Sequence, residues 1–240
     1  MEVEYFKKYG NKELIIANMD EVSIYFDMGR NSTYHYKGDK SIKLIRNNGY
    51  RKRLTVCLAI LSNGKKLPPF IIFKAKSVPT NPHSKCLLVR ANANGWITEG
   101  MMKDWIQNVW ENIKYENPEN IKKLILIDKC SSHQKASVID QLKKDSFVEF
   151  IPAGCTSLVQ PLDLCINKPF KDELKRLYEK WLLDYGLTDK NKTKKGYIKA
   201  PSSILILKWV MIAWSAIDSD LIVKSFKYAG IQFNIPYLNL

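Results

Sequence analysis

The sequence has no pattern of paired cysteines. Its five cysteines are an odd number, and none of them forms a Cys-x-x-Cys pair, so neither a disulfide framework nor a zinc ribbon is predicted. The spacings of Cys130 from His133 and of Cys155 from Cys165 also lack the pair-plus-pair form of zinc sites. Reduced thiols, as in a cytosolic or nuclear protein, fit this pattern better.

A long hydrophobic run is also missing. The most apolar segment, Ile204 to Ile217, is short and is interrupted by Lys208, so we expect no membrane span. Met1 to Tyr5 include acids and no apolar core, and we expect no secretory signal peptide. Residues 1–10 are charged and aromatic, and we expect them to be the tail of an upstream segment.

Acidic residues are scarce relative to basic ones. The 240-residue chain has 38 Lys+Arg against 24 Asp+Glu, which gives a formal net charge of +14. This excess favours a polyanionic partner such as nucleic acid, although solubility in a Lys-rich composition is an alternative explanation. Hydrophobic residues make up 45% of the chain, which excludes a disordered tail and suits one large domain or a domain with a small appendage.

Three acids stand at the ends of apolar runs or before a helix. Asp20 follows Leu14–Met19, Asp128 follows Leu124–Ile127, and Asp163 precedes a helical pattern. If the two strands are neighbours, their acids lie side by side. Three such carboxylates repel one another but can hold two Mg²⁺ or Mn²⁺ ions about 3.5–4 Å apart. For each acid alone, a helix cap or a surface carboxylate is the alternative.

Strand and helix patterns alternate along the chain. The runs Arg53–Leu61 and Pro68–Phe73 flank a Ser-Asn-Gly-Lys turn, which predicts a hairpin. Thr98 predicts the start of a helix. Further strands are expected at Leu14–Met19, Ser41–Arg46, Leu87–Val89, Leu124–Ile127 and Phe147–Ile151, and further helices at Gln134–Lys144, Ile166–Trp181, Ser203–Ala216 and Leu221–Tyr228. This order predicts an α/β fold, a mixed sheet flanked by helices.

Short motifs around the three acids together resemble one known family. The motifs are Asn18-Met19-Asp20-Glu21, Leu67-Pro68-Pro69 with Ile72-Phe73-Lys74, Ile127-Asp128 with His133, Ile151-Pro152-Ala153-Gly154-Cys155-Thr156-Ser157, Gln160-Pro161-Leu162-Asp163, and Asn167-Lys168-Pro169-Phe170-Lys171. They are similar to the three acid blocks and a strand pair of pogo-like DDE-type transposases of the mariner superfamily. The resemblance covers most of residues 11–231.

The resemblance implies an RNase H-like fold with a C-terminal helical appendage, a DNA substrate and a nuclear setting. It maps the three catalytic, metal-binding acids onto Asp20, Asp128 and Asp163, with two Mg²⁺ or Mn²⁺ ions as cofactors. His133 and Glu21 are expected to orient these acids, although His133 could instead contact a phosphate or cap the turn at Asp128. Double-stranded DNA is the expected partner, with a homodimer left open, no membrane and no small-molecule cofactor.

Composition and charge along the chain suggest segment boundaries and a DNA-binding surface. Residues 11–187 would be the catalytic domain, 188–200 a basic linker and 201–240 C-terminal helices. Basic side chains of the helix after Asp163 are expected to contact the DNA backbone, with a solvated helix face as the alternative. These residues are Lys168, Lys171, Lys175 and Arg176.

Three classes of function fit the sequence. The first is a metal-dependent DNA strand-cleaving and strand-joining core, in which all three acids are present. The second is a domesticated or truncated relic that acts as a non-catalytic DNA-binding or interaction module. Family members carry helix-turn-helix domains before the core, and we expect these domains to be missing here. The third is a cellular nuclease of the same fold.

Overall fold

A six-stranded mixed sheet forms the centre of the fold. The computed structural model describes residues 13–29, 36–40, 47–49, 52–79, 87–113 and 121–231. The strands β1 to β6 are Glu13–Tyr25, Arg53–Leu61, Phe70–Lys74, Leu88–Asn92, Ile121–Ile127 and Ser146–Phe150. Their spatial order is β4-β3-β2-β1-β5-β6. The strand that contains Asp20 therefore lies beside the strand that leads to Asp128.

The pairing of β1 with β5 aligns two of the predicted acids. The two strands run parallel, and their register pairs Asn18 with Leu126. Asp20 and Asp128 each come two residues later, so they lie at the same level, where β5 ends and β1 continues to Tyr25 beyond the predicted strand Leu14–Met19. On its other side β1 pairs antiparallel with β2, and β2 pairs antiparallel with β3, which confirms the predicted hairpin.

Helices cover both faces of the sheet. The helices α1 to α6 are Glu99–Trp105, Ala136–Leu142, Thr156–Val159, Asn167–Trp181, Ser203–Ser215 and Ser219–Tyr228. Single π-helical turns occur at Ile106–Trp110, Leu162–Ile166 and Leu182–Gly186, and a 3₁₀ turn occurs at Asp189–Asn191. As predicted, Thr98 caps α1 by accepting a hydrogen bond from the Met101 N–H. The α/β class with helices on both faces is confirmed.

Side chains of β1 alternate between two apolar cores because successive residues of a strand point to opposite faces. Ile15 and Met19 belong to the core beneath α1 and α2. Ile16, Val22 and Ile24 belong to the core beneath α4, α5 and α6. Asn18 and Asp20 have the same parity as this second group, so they point toward the side that α4 covers.

The C-terminal helices share a core with α4. Trp214 of α5 packs edge-on against Phe170 of α4, with ring centroids 6.0 Å apart, and its indole N–H donates to the Leu67 carbonyl at 3.0 Å. In the segment before α5, Ile198 is buried and bridges to Asn47. The boundaries at residues 188 and 201 remain predictions, but both helices pack directly on the sheet domain.

Two predictions lie outside the described residues: the upstream tail at residues 1–10 and the strand at Ser41–Arg46. Within the part of the chain that the structure describes, no helix combines the length and the apolar character needed to cross a bilayer.

The buried side chain of Asn18 joins three parts of the fold. Its Nδ2 donates to the Leu126 carbonyl of β5 at 3.0 Å. Its Oδ1 accepts a hydrogen bond from the Leu162 N–H at 3.0 Å. Because Leu162 begins the π-helical turn before α4, Asn18 fixes the place where that turn meets the sheet. Asp163 is the next residue of the turn.

Replacing Asn18 with alanine is expected to lower the free energy of unfolding by about 2–4 kcal/mol. The change leaves the buried Leu162 N–H without its partner, which costs about 1–3 kcal/mol, and removes the hydrogen bond to the Leu126 carbonyl, worth about 0.5–1.5 kcal/mol. Urea denaturation followed by circular dichroism measures the loss. The control is Asn112→Ala. Asn112 is exposed, and its amide donates to the carbonyl of Gln107, five residues earlier, so this bond does not link separate elements of the fold as those of Asn18 do. Equal stability of the two variants would contradict the assigned role of Asn18.

Candidate active site

Asp20 and Asp163 lie close together because one asparagine side chain binds both. The amide nitrogen of Asn167 donates to Asp20 Oδ2 at 2.6 Å and to Asp163 Oδ1 at 2.9 Å. Asp163 lies in the π-helical turn, and Asn167 begins α4 four positions later. Residues four apart share one face of a helix, so both side chains meet Asp20 on β1. We call Asp20 and Asp163 the asparagine-linked pair.

The negative charge of the asparagine-linked pair is poorly compensated. Burial, followed by the charge of Asp163, raises the pKa of Asp20 to about 7, although the hydrogen bond from Asn167 acts in the opposite direction. An amide donates hydrogen bonds but has no net charge, so Asn167 positions the two carboxylates without neutralising them. A cation between them would relieve their repulsion.

His133 connects the other two acids. Its Nδ1 hydrogen-bonds to Asp128 Oδ1 at 2.7 Å, and its Nε2 hydrogen-bonds to Glu21 Oε1 at 2.9 Å. The Asp128 carboxylate also accepts the Cys130 N–H at 3.2 Å, which orders the turn after β5. The imidazole is only 1% exposed. We call Asp128 and Glu21 the histidine-linked pair.

The imidazole of His133 is a buried cation between two carboxylates. Burial acts to lower its pKa, but the hydrogen bonds to Asp128 and Glu21 and their charges outweigh burial and raise the pKa of His133 to about 10. The hydrogen bond from His133 is the main reason why the pKa of Asp128 is lowered. Both ring nitrogens therefore act as donors at neutral pH, and the single positive charge of His133 offsets half of the negative charge of the histidine-linked pair.

The two acid pairs meet at β1. Asp20 and Glu21 are consecutive residues of that strand, so their side chains point to opposite faces of the sheet. One face leads to Asp163 and the other to His133. The parallel register of β1 and β5 brings Asp128 to the level of Asp20. All three acids predicted from the sequence thus lie near the level at which β5 ends beside β1.

The residues at this end of the sheet fit a hard divalent cation. Carboxylate oxygens are the preferred ligands of Mg²⁺ and Mn²⁺, and the asparagine-linked pair has an uncompensated charge. Asp128, Cys130 and His133 also have ligand atoms within 4.8 Å of one another. A metal at that second group would have to displace the proton of His133, because only a neutral imidazole binds metal. The carboxylates therefore fit better than this mixed group.

The basic residues predicted to contact DNA lie on the surface of α4. Lys168, Lys171 and Lys175 are exposed, and their spacing of three and four positions places them along one side of the helix. Arg176 differs from them. Its guanidinium makes two hydrogen bonds to the Glu173 carboxylate, at 2.7 and 2.6 Å, which partly neutralises its charge.

The role of Asn167 is not evident from the sequence. The residue belongs to one of the motifs of the family resemblance, but the motif alone assigns it no chemical function. Its distance of four positions from Asp163, combined with the helical pattern after Asp163, is enough to place both on one helix face. No sequence signal shows that Asp20 lies opposite that face, because this contact depends on how α4 docks against the sheet.

The sequence matches known proteins over most of its length. The profile of the DDE superfamily endonucleases matches residues 51–226. The chain is 31% identical over 222 residues to the human (Homo sapiens) protein "Pogo transposable element with KRAB domain". This match covers 92% of this chain and 36% of that protein. It is 23% identical over 233 residues to mouse (Mus musculus) "Tigger transposable element-derived protein 4", covering 95% of this chain and 41% of the relative. The chain thus spans well under half the length of these relatives.

Solved structures share the fold. A Mos1 transposase paired-end complex with the left transposon end has a TM-score of 0.57 at 14% identity and covers 94% of this chain and 55% of its own. A Mos1 mariner paired-end complex with Mn has a TM-score of 0.54 at 16% identity, and the match covers 94% of this chain and 54% of the Mos1 chain. The sheet and helices therefore have the RNase H-like fold of these Mos1 structures. With the family match and the identity to pogo relatives, the chain belongs to the DDE superfamily endonucleases as a pogo-like transposase domain.

Proposed function

We propose that this domain cleaves and joins DNA phosphodiesters in a reaction that depends on divalent metal. The observation that carries the proposal is the gathering of three acids: Asp20 and Asp163 share one amide donor, and Asp128 lies level with Asp20 on the adjacent strand. Only a neutral amide links Asp20 and Asp163, and like charges without a compensating cation are unfavourable, so their pairing is better explained by cation binding than by stability.

Asp20, Asp128 and Asp163 would hold the ions, Mg²⁺ or Mn²⁺. Two such ions supply charge stabilisation to the attacking and leaving oxygens of an in-line displacement at phosphorus. The protein's own part is to keep the carboxylates in place. Asp20 is fixed on a central strand, and His133 holds Asp128 from the buried side. Solved Mos1 complexes described as containing Mn and Mg support the choice of ion.

The surface of α4 would bind the DNA backbone. Lys168 follows Asn167 directly, so the row of lysines begins beside the acids. A cavity of about 180 Å³ lies between the end of β1 and α4, and its lining includes Tyr25, Lys171 and Lys175. Lysine side chains beside an open cleft suit phosphate contacts that do not depend on base sequence. Arg176 would contribute less, because Glu173 already binds it.

The cellular setting and the partner follow from a DNA substrate. Such a substrate implies a nuclear location, and the Mos1 neighbours described as transposon-end complexes support double-stranded DNA as the partner. Residues 11–187 would form the catalytic unit, joined by residues 188–200 to the C-terminal helices. A homodimer stays a prediction.

The first test is Mn²⁺-dependent nicking of supercoiled plasmid. Asp128→Asn is expected to reduce nicking by more than about 100-fold, because loss of a ligand should exceed the 10–100-fold effect typical of residues that only orient ligands. Asp140→Asn is the matched control, since Asp140 is an exposed acid of α2. If the wild-type chain is folded and binds DNA but is as inert as Asp128→Asn, the catalytic proposal fails and a non-catalytic DNA-binding module replaces it.

Removing the α4 lysines is expected to weaken binding to duplex DNA of any sequence. In Lys168→Ala/Lys171→Ala/Lys175→Ala, the slope of log affinity against log salt should become less steep by about 0.9 for each phosphate that the protein no longer neutralises. Fluorescence anisotropy at several salt concentrations measures this slope. Lys208→Ala/Lys224→Ala/Lys227→Ala removes the same charge from exposed positions of α5 and α6. Equal weakening in both variants would mean that only net charge matters.

His133→Gln tests whether His133 holds Asp128 in place. Loss of its charge-assisted hydrogen bonds should lower the free energy of unfolding by about 1.5–3 kcal/mol for each bond. Because the folded pKa of about 10 lies above the unfolded value of about 6.5, this stabilisation is complete below about pH 6.5 and is lost as pH rises through about 10.

Urea denaturation in EDTA at pH 6, 8 and 10 measures the difference between wild type and His133→Gln, which should shrink as pH rises. Gln134→Ala controls for general damage to the turn, since Gln134 is exposed and its side-chain amide donates to the Lys129 carbonyl of the same turn. A difference that stays constant with pH would contradict the buried imidazolium.

A further inference from the structure

We propose that Asn167 is a positioning residue that sets the metal affinity of the asparagine-linked pair. The proposal rests on the proposed function, because it takes Asp20 and Asp163 to share a divalent ion. Its basis is separate, however, since it depends on the hydrogen bonds, burial and orientation of one amide side chain.

The Asn167 amide fixes two carboxylates that come from different elements. Asp20 belongs to β1, and Asp163 belongs to the π-helical turn before α4. Each N–H···O bond uses one oxygen, Asp20 Oδ2 or Asp163 Oδ1, and each carboxylate has a second oxygen that a cation can use. The amide therefore holds both groups at a fixed separation and rotation. A site that is organised before the ion arrives binds it with less reorganisation.

The other end of the amide shows that the acids determine its orientation. Asn167 is 7% exposed, and its Oδ1 has no hydrogen-bond partner among the described residues. A buried acceptor without a partner is unfavourable and calls for a specific explanation. Turning the amide over would place Oδ1 against both carboxylates, where oxygen atoms repel. The observed orientation satisfies Asp20 and Asp163 at the expense of Asn167 itself.

A second buried asparagine gives the contrasting case. The Nδ2 of Asn47 donates to the Phe26 carbonyl and to the Tyr178 hydroxyl, and its Oδ1 accepts the Gly49 N–H. Both ends of that amide are satisfied, as expected for a side chain that stabilises the fold. None of these three hydrogen bonds of Asn47 involves a predicted catalytic acid. It is therefore a matched control for the loss of a buried asparagine.

The absence of charge on the amide is essential to the proposal. A lysine or arginine at position 167 would also donate to two carboxylates, but its charge would compete with a metal ion for the site. Asn167 offers two N–H donors on a short side chain without charge. It can hold Asp20 and Asp163 together and still leave their combined negative charge for a divalent ion.

Titration of the full chain with MnCl₂, with free Mn²⁺ measured by electron paramagnetic resonance, tests the proposal. Asn167→Ala is expected to weaken Mn²⁺ binding by about 10–100-fold, the range for residues that orient metal ligands. Asn167→Ser keeps one donor and should lie between Asn167→Ala and wild type. Asn47→Ala should lose stability in urea yet bind Mn²⁺ with the wild-type dissociation constant.

The outcomes separate this proposal from the proposed function. If Asn167→Ala binds Mn²⁺ within about twofold of wild type, the positioning role is overturned while the metal site stands. Equal weakening by Asn47→Ala would reduce Asn167 to a general stabiliser and also overturn the role. Absence of Mn²⁺ binding by the folded wild-type chain would overturn both proposals. Where Asn167→Ala does not fold, Asn167→Ser decides: unchanged affinity in that variant counts against the proposal.

Discussion

Repulsion among four carboxylates is the constraint that shapes this structure. Asp20, Glu21, Asp128 and Asp163 lie just beyond the point where the pairing of β1 with β5 ends, and like charges there destabilise each other. The fold uses one asparagine and one histidine to hold them, and each of these side chains binds two acids. Asn167 and His133 lie on opposite sides of β1, because their partners Asp20 and Glu21 are consecutive and point to opposite faces.

His133 and Asn167 differ in charge, so the two acid pairs differ in how far their negative charge is compensated. The imidazolium of His133 lowers the pKa of Asp128 and keeps it ionised. The neutral amide of Asn167 leaves the pKa of Asp20 raised to about 7. Half of the negative charge of the histidine-linked pair is thus offset without a metal ion, whereas the asparagine-linked pair has only a neutral amide and gains most from a cation. We infer that the drive to bind a cation is strongest between Asp20 and Asp163.

The sequence predicted the positions of the acids better than their partnerships. The apolar run before Asp128 correctly indicated a strand that ends at this acid, whereas the strand predicted at Leu14–Met19 continues past Asp20 to Tyr25. Strand alternation could also have placed Asp20 and Glu21 on opposite faces. The helix after Asp163 was predicted from its apolar spacing. The link from Asn167 to Asp20 was not predictable, because it depends on docking of α4 across 147 positions of chain. Local patterns contain no information about such a contact.

The helix α4 connects the acid site to the basic surface. Its first residue, Asn167, binds Asp20, and the exposed Lys168 follows in the next position. Lys171 comes about one turn later, roughly 5.4 Å along the axis. Any shift of α4 therefore changes the geometry of the asparagine-linked pair and moves the proposed DNA contacts at the same time. The hydrogen bond from the Leu162 N–H to Asn18 restrains such a shift, because it anchors the turn before α4 to the central strand. Under the proposed function, accurate placement of DNA against the acids would thus depend on one buried amide of β1.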